Sequence, residues 1–126
     1  MQTVQKQIIE DYIHAYNTLD VDGMIKNLAE HVVFENVSNG TVDLRTEGKA
    51  NFKAQAESAK QYFTKRQQTI TSWEFKNQNV IINIDYNAIL AIDLPNGLKA
   101  GDTLELKGTS EFEFEDDKIV KIVDKS

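Results

Sequence analysis

The chain has 126 residues, with 14 Lys and Arg against 20 Asp and Glu, a formal charge of −6 and no cysteine. That length is one domain, 1–126, with room for a core. The absence of cysteine excludes disulfides and thiolate metal sites. An acidic balance with no Lys/Arg cluster argues against a nucleic-acid backbone as partner.

The opening residues, MQTVQKQIIEDYI, carry acids early and no apolar h-region, so no secretory signal is expected there. No apolar run approaches the roughly 20 residues of a membrane helix. The expectation is a cytoplasmic domain with no membrane partner. Val4, Ile8, Tyr12, Tyr16 and Leu19 recur at spacings of four or three, with Ile9 and Ile13 widening the stripe, which predicts a first helix ending near Leu19. Asp20 is placed to cap a short second helix containing Met24, Ile25 and Leu28. VVFENVSNG then alternates apolar and polar residues up to Asn39-Gly40, a pair suited to the positive φ angles of a hairpin turn. Gly48 marks a break, and Phe52, Ala56, Ala59 and Phe63 share one face of a third helix.

From Thr69 the period changes to two. ITSWEF puts Trp73 and Phe75 opposite Ser72 and Glu74. In the stretch 79–93 the even positions from Val80 to Ile92 are all apolar or aromatic, Tyr86 among them. The stretch 102–116 repeats the parity, with Leu104, Leu106, Gly108, Ser110, Phe112 and Phe114 against Thr103, Glu105, Lys107, Glu111 and Glu113. Asp116-Asp117 turns the chain into a final strand, KIVKIV. Helices first and long alternating strands after them predict an α+β domain whose helices cover the oily face of the sheet.

The segment DYIHAYNTLDVDGMIKNLAEHVVFENVSNG, the RTEG before the third helix and the closing SEFEFEDDKIVKI resemble the nuclear transport factor 2-like superfamily. Within it, the chain is most similar to the SnoaL-like polyketide cyclase and ketosteroid isomerase branches. The resemblance implies a cone-shaped, curved, mostly antiparallel sheet wrapped around three N-terminal helices. It also implies a mouth that admits a small apolar ligand, and a homodimer. The isomerase branch places an oxyanion-stabilising tyrosine at Tyr12, its general base at Asn36 and its second oxyanion donor at Ser110. Only the tyrosine is kept, so Asn36 should point inward with Phe34, and Glu35 outward.

An amide cannot take a proton at neutral pH, although it can donate and accept hydrogen bonds. The inner positions 80–92 and 104–114 carry no titratable acid, base or histidine. Any general base would therefore have to come from a helix, the first hairpin or a loop. His14, four residues after Glu10, fits a surface ion pair, and His31 could reach the carbonyls ending the second helix. Two separated histidines do not make a metal constellation, and no cofactor motif is present. These features lean against catalysis. The leading expectation is a small-molecule-binding domain with an apolar pocket. Tyr12, Asn36, Tyr86 and Ser110 would be its polar contacts, and Phe34, Trp73 and Phe112 its walls. An isomerase, cyclase or dehydratase acting on a small carbonyl compound, with Tyr12 and Asn36 as catalytic candidates, is the first alternative. A partner-binding module with a filled core is the second. A cavity of roughly 300 Å3 separates the ligand-binding readings from the last.

Overall fold

The computed structural model describes residues 2–126. Helix α1 spans Gln2–Asn17, α2 Val21–Ile25 and α3 Lys49–Lys60. The strands are β1 Leu28–Ser38, β2 Thr41–Glu47, β3 Phe63–Lys76, β4 Asn79–Leu90, β5 Thr103–Glu115 and β6 Lys118–Lys125. They form one open mixed sheet in the order β2-β1-β6-β5-β4-β3. All neighbours are antiparallel except β1 and β6, which run parallel. The class is α+β, as the switch from a helical period to a period of two predicts.

The inner face carries the even positions of β4 and β5. Val80, Ile82, Ile84, Phe112 and Phe114 are buried there, together with Ile119 and Ile122 of β6 and the α1 residues Ile8, Ile9 and Ile13. The charged face is outward, where Lys107 pairs with Asp85 at 2.9 Å and Asn79 bonds Glu111 at 2.9 Å. Leu106 breaks the parity. It is 51% exposed although its neighbours in the pattern are covered. It faces Tyr86 across the ladder, borders a cavity, and lies beyond the part of the sheet the core residues fill.

Several boundaries differ from the sequence pattern for local reasons. α1 stops at Asn17 because Leu19 enters the left-handed region, with φ 59°, and Asp20 N–H closes back onto Ala15 O at 2.8 Å. Asp20 caps α2 as expected, its Oδ1 accepting from Gly23 N–H at 3.0 Å. Leu28 is not in that helix; it opens β1. Phe63 is likewise not on α3 but opens β3, six residues before the alternation becomes visible. The polar run from Thr64 to Thr69 hides that strand because β3 is an edge, paired only with β4, and its outward positions are wet. The turn at Asn39-Gly40 forms with φ of 52° and 80°, and Asp116-Asp117 turns with 51° and 60°.

The histidines stand apart from these elements. His14 is exposed on α1 with no ion pair to Glu10, and His31 is exposed within β1 rather than at the end of α2. Among the described residues, no helix is long and apolar enough to cross a membrane.

Candidate functional site

Strand pairing lines up a row of side chains across the sheet. Leu44 of β2 faces Asn36 of β1, Asn36 faces Asp124 of β6, Asp124 faces Ser110 of β5, and Ser110 faces Ile82 of β4. Paired residues share a face, so the polar trio Asn36, Asp124 and Ser110 sits together within a largely apolar inner face. Ser110 Oγ donates to Asp124 Oδ1 at 2.6 Å, and Oδ2 has no hydrogen-bond partner among the described residues. Burial pushes the Asp124 carboxyl up to about 6, outweighing the Ser110 hydrogen bond that favours the ionised form. Asp124 is thus a titratable group on the inner face. It comes from a strand, not from the helices, hairpin or loops to which the sequence pattern confined such a group.

Above this row stand two tyrosines of α1, one turn apart. Tyr12 is 7% exposed and meets Phe112 edge to face, with ring centroids 5.6 Å apart. Burial, then the charge of Asp124, raises its pKa, while Arg66 opposes, so the hydroxyl remains a neutral donor. Tyr16 Oη bonds Tyr86 Oη at 3.0 Å, and burial raises the pKa of both. Arg66 of β3 stacks on the Tyr16 ring with its guanidinium carbon 3.7 Å from the centroid, and its Nε–H donates to Tyr16 O at 2.9 Å. A bulge between Phe63 and Lys65 turns Arg66 inward, where it is 3% exposed. Asn17 fixes the spacing of helix and strand, accepting from Gln68 N–H at 2.7 Å and donating to Gln68 O at 3.1 Å.

Two cavities flank the row. The larger, 330 Å3, lies under α1 and α3, and Tyr12, Phe34, Phe52, Phe63 and Arg66 are among its walls. The smaller, 220 Å3, opens between β4 and β5 beside Ser110, Tyr86, Gln68 and Gly108. Tyr16, Asn36 and Asp124 line both. The interior is therefore not a filled core.

The structure brings together only part of the expected set. Tyr12, Phe34 and Asn36 border the larger cavity, and Asn36, Tyr86 and Ser110 the smaller. Phe34 packs edge to face on Phe52 at 5.6 Å. Asn36 does not point freely inward: its Nδ2 donates to Asp43 Oδ1 at 2.9 Å, which together with Ser38 lowers the Asp43 pKa. Glu35 turns to Arg45 at 3.2 Å. Trp73 and Phe112 line neither cavity. Phe112 is fully buried beneath Tyr12, and Trp73 stacks on Phe75 at 5.7 Å with Lys6 over its ring, toward the far end of β3. Their size made them plausible walls, but size is equally what the solid part of a core needs.

Three residues of the site are absent from the sequence-based set. Tyr16 follows Tyr12 by one helical turn and could have been found from that spacing. Arg66 sits in the polar run that hides the start of β3. Asp124 lies one residue past KIVKIV, and extending that strand's alternation from Ile122 would have turned it inward.

A SnoaL-like domain model matches residues 9–122. The chain belongs to the SnoaL-like family. No curated protein sequence matches it. Among solved structures, this SnoaL-like chain is similar to a candidate polyketide cyclase from Xanthomonas campestris pv. campestris, with TM-score 0.81 and 20% identity over 98% of this chain and 90% of that one. It is also similar to TerC crystallised with polyporic acid, with TM-score 0.76 and 14% identity over 96% and 89%. An LEH-like epoxide hydrolase of M. tuberculosis has TM-score 0.77 and 16% identity over 98% and 82%. At these identities the likeness is one of fold: the nuclear transport factor 2-like cone.

Proposed function

We propose that this SnoaL-like domain binds a small, ring-containing carbonyl compound in the larger cavity, and that Asp124 exchanges a proton with it. The observation that carries this reading is the Asp124–Ser110 pair on the cavity wall, a carboxyl poised near neutrality with Oδ2 unpartnered. A general base works best with a pKa near the working pH, and its contribution is about 10²- to 10⁴-fold. Oδ2 would take a proton from the carbon next to a carbonyl, while Ser110 holds Oδ1. Tyr12, whose hydroxyl has no hydrogen-bond partner among the described residues, would donate to the oxygen on which charge develops. Asn36, bound to Asp43, shapes the rim of the site and is not the base. TerC, a relative in fold, was crystallised with polyporic acid, which agrees with a small-molecule cavity in this fold.

A binding domain without catalysis is the second reading, supported by the aromatic walls alone. Proton exchange into deuterated water separates the two. A panel of aryl ketones and 1,3-diketones is screened for binding, then followed by NMR for loss of the α-proton. Acceleration of about 10²-fold over buffer, lost in Asp124→Asn, is the expected result. Compounds that bind without accelerated exchange would leave only the binding reading, and absence of binding would remove both.

A further inference from the structure

Arg66 has no counter-ion among the described residues. Its guanidinium carries a positive charge, and the residue is 3% exposed. Burying a charge without a partner is costly, and interiors normally supply the opposite charge. Here the partners are a backbone carbonyl on Nε, the face of Tyr16, and the Met24 sulfur 3.8 Å from one terminal nitrogen. Of the five N–H donors of an arginine, three are left without a protein acceptor among the described residues, on a side chain that borders a 330 Å3 cavity. Asp124 borders the same cavity, yet it is held by Ser110 and makes no ion pair with Arg66.

We propose that Arg66 is an anion anchor, and that the larger cavity takes an aromatic monocarboxylate whose carboxylate sits on the Arg66 fork and whose ring packs against Tyr12, Phe34 and Phe63. This rests on the reading of that cavity as a ligand site and adds the charge and class of the ligand. The planar guanidinium matches a carboxylate in two parallel hydrogen bonds. No Lys and no second Arg lines the cavity, so one negative charge is matched and a phosphate dianion is not. The volume lies near the lower end of the roughly 300–1,000 Å3 usual for ligand pockets, which suits one or two rings. The stack on Tyr16 and the bond to its carbonyl hold the guanidinium in place before a ligand arrives, so little freedom remains to be lost on binding.

The test compares 2-naphthoate with its neutral isostere 2-naphthamide by calorimetry on the native chain and on Arg66→Gln, with circular dichroism to establish folding. A charge-assisted pair predicts naphthoate tighter by about tenfold or more on the native chain, with the preference abolished by Arg66→Gln. Naphthamide binding as tightly as naphthoate overturns the anchor while leaving the cavity as a ligand site. Failure of both to bind overturns the two readings together. If Arg66→Gln does not fold, the Arg66 Nε–H resonance of the native chain decides: a shift on adding naphthoate but not naphthamide supports the anchor, and no shift overturns it.

Discussion

Replacing Asp124 by Asn should remove the part of the pH-dependent stability that this carboxyl contributes. In the fold the carboxyl stands at about 6 against an ordinary 3.8, a gap of roughly two pH units at about 1.4 kcal/mol each, or up to about 3 kcal/mol. The sign follows from proton counting. Between about pH 4 and 6 the folded chain binds a proton at Asp124 that the unfolded chain has released. The contribution is therefore fully present below about pH 4 and is lost as pH rises through 6. Asn mimics the neutral acid at every pH. Its stability minus that of the native chain should grow by up to about 3 kcal/mol between pH 3.5 and pH 8, whatever its constant offset. Urea unfolding at fixed ionic strength reads this directly: with slopes of about 1–3 kcal/mol/M, the gap between the two midpoints should widen by roughly 1–3 M across that range. A gap that stays constant would mean that the carboxyl is solvated as in an unfolded chain, and the case for a proton-transfer group at this position would fall with it.

Ser110→Ala removes the hydrogen bond that favours the Asp124 carboxylate, so the carboxyl carbon of Asp124 should titrate above about 6 by NMR; an unchanged or lower midpoint would refute the pairing. Gly108→Ala should cost about 1–3 kcal/mol in thermal or urea unfolding, because a Cβ there would stand 2.5 Å from Lys125 O, backbone that cannot swing aside; a neutral result would show that β5 and the end of β6 are looser than described.

The elements were legible where one physical signal dominated. The α1 stripe, the Asp20 cap, the Asn39-Gly40 turn and the parity of β4 and β5 were all readable because burial on one side imposes a strict period. β3 escaped notice over its first six residues because an edge strand has few apolar outward positions to complete the pattern. The site was legible only in part for a related reason. Tyr12, Asn36 and Ser110 could be placed from the family resemblance, but Asp124 and Arg66 are charged residues facing inward, the very case that hydrophobic periodicity discards. Asp124 was hidden further because its role comes from pairing with Asn36 and Ser110 on two other strands. No local window contains that juxtaposition. The parallel pairing of β1 with β6 was equally beyond a local pattern, which describes a meander and not a return.

That return has a kinetic consequence. Within the sheet, β6 is the sole bridge between the β1–β2 hairpin and the β3–β4–β5 meander. Each of those units can form from neighbours in the chain, but the seam between them closes only after a long excursion, the kind of contact that slows folding. Asn36, Asp124 and Ser110 belong to the three strands that meet at that seam. The β5–β6 hairpin can set Ser110 and Asp124 together from chain neighbours, and Asn36 joins them only when the seam closes. A molecule held across the row would tie the seam shut and lengthen the lifetime of the folded chain, while leaving the rate of its first assembly almost untouched.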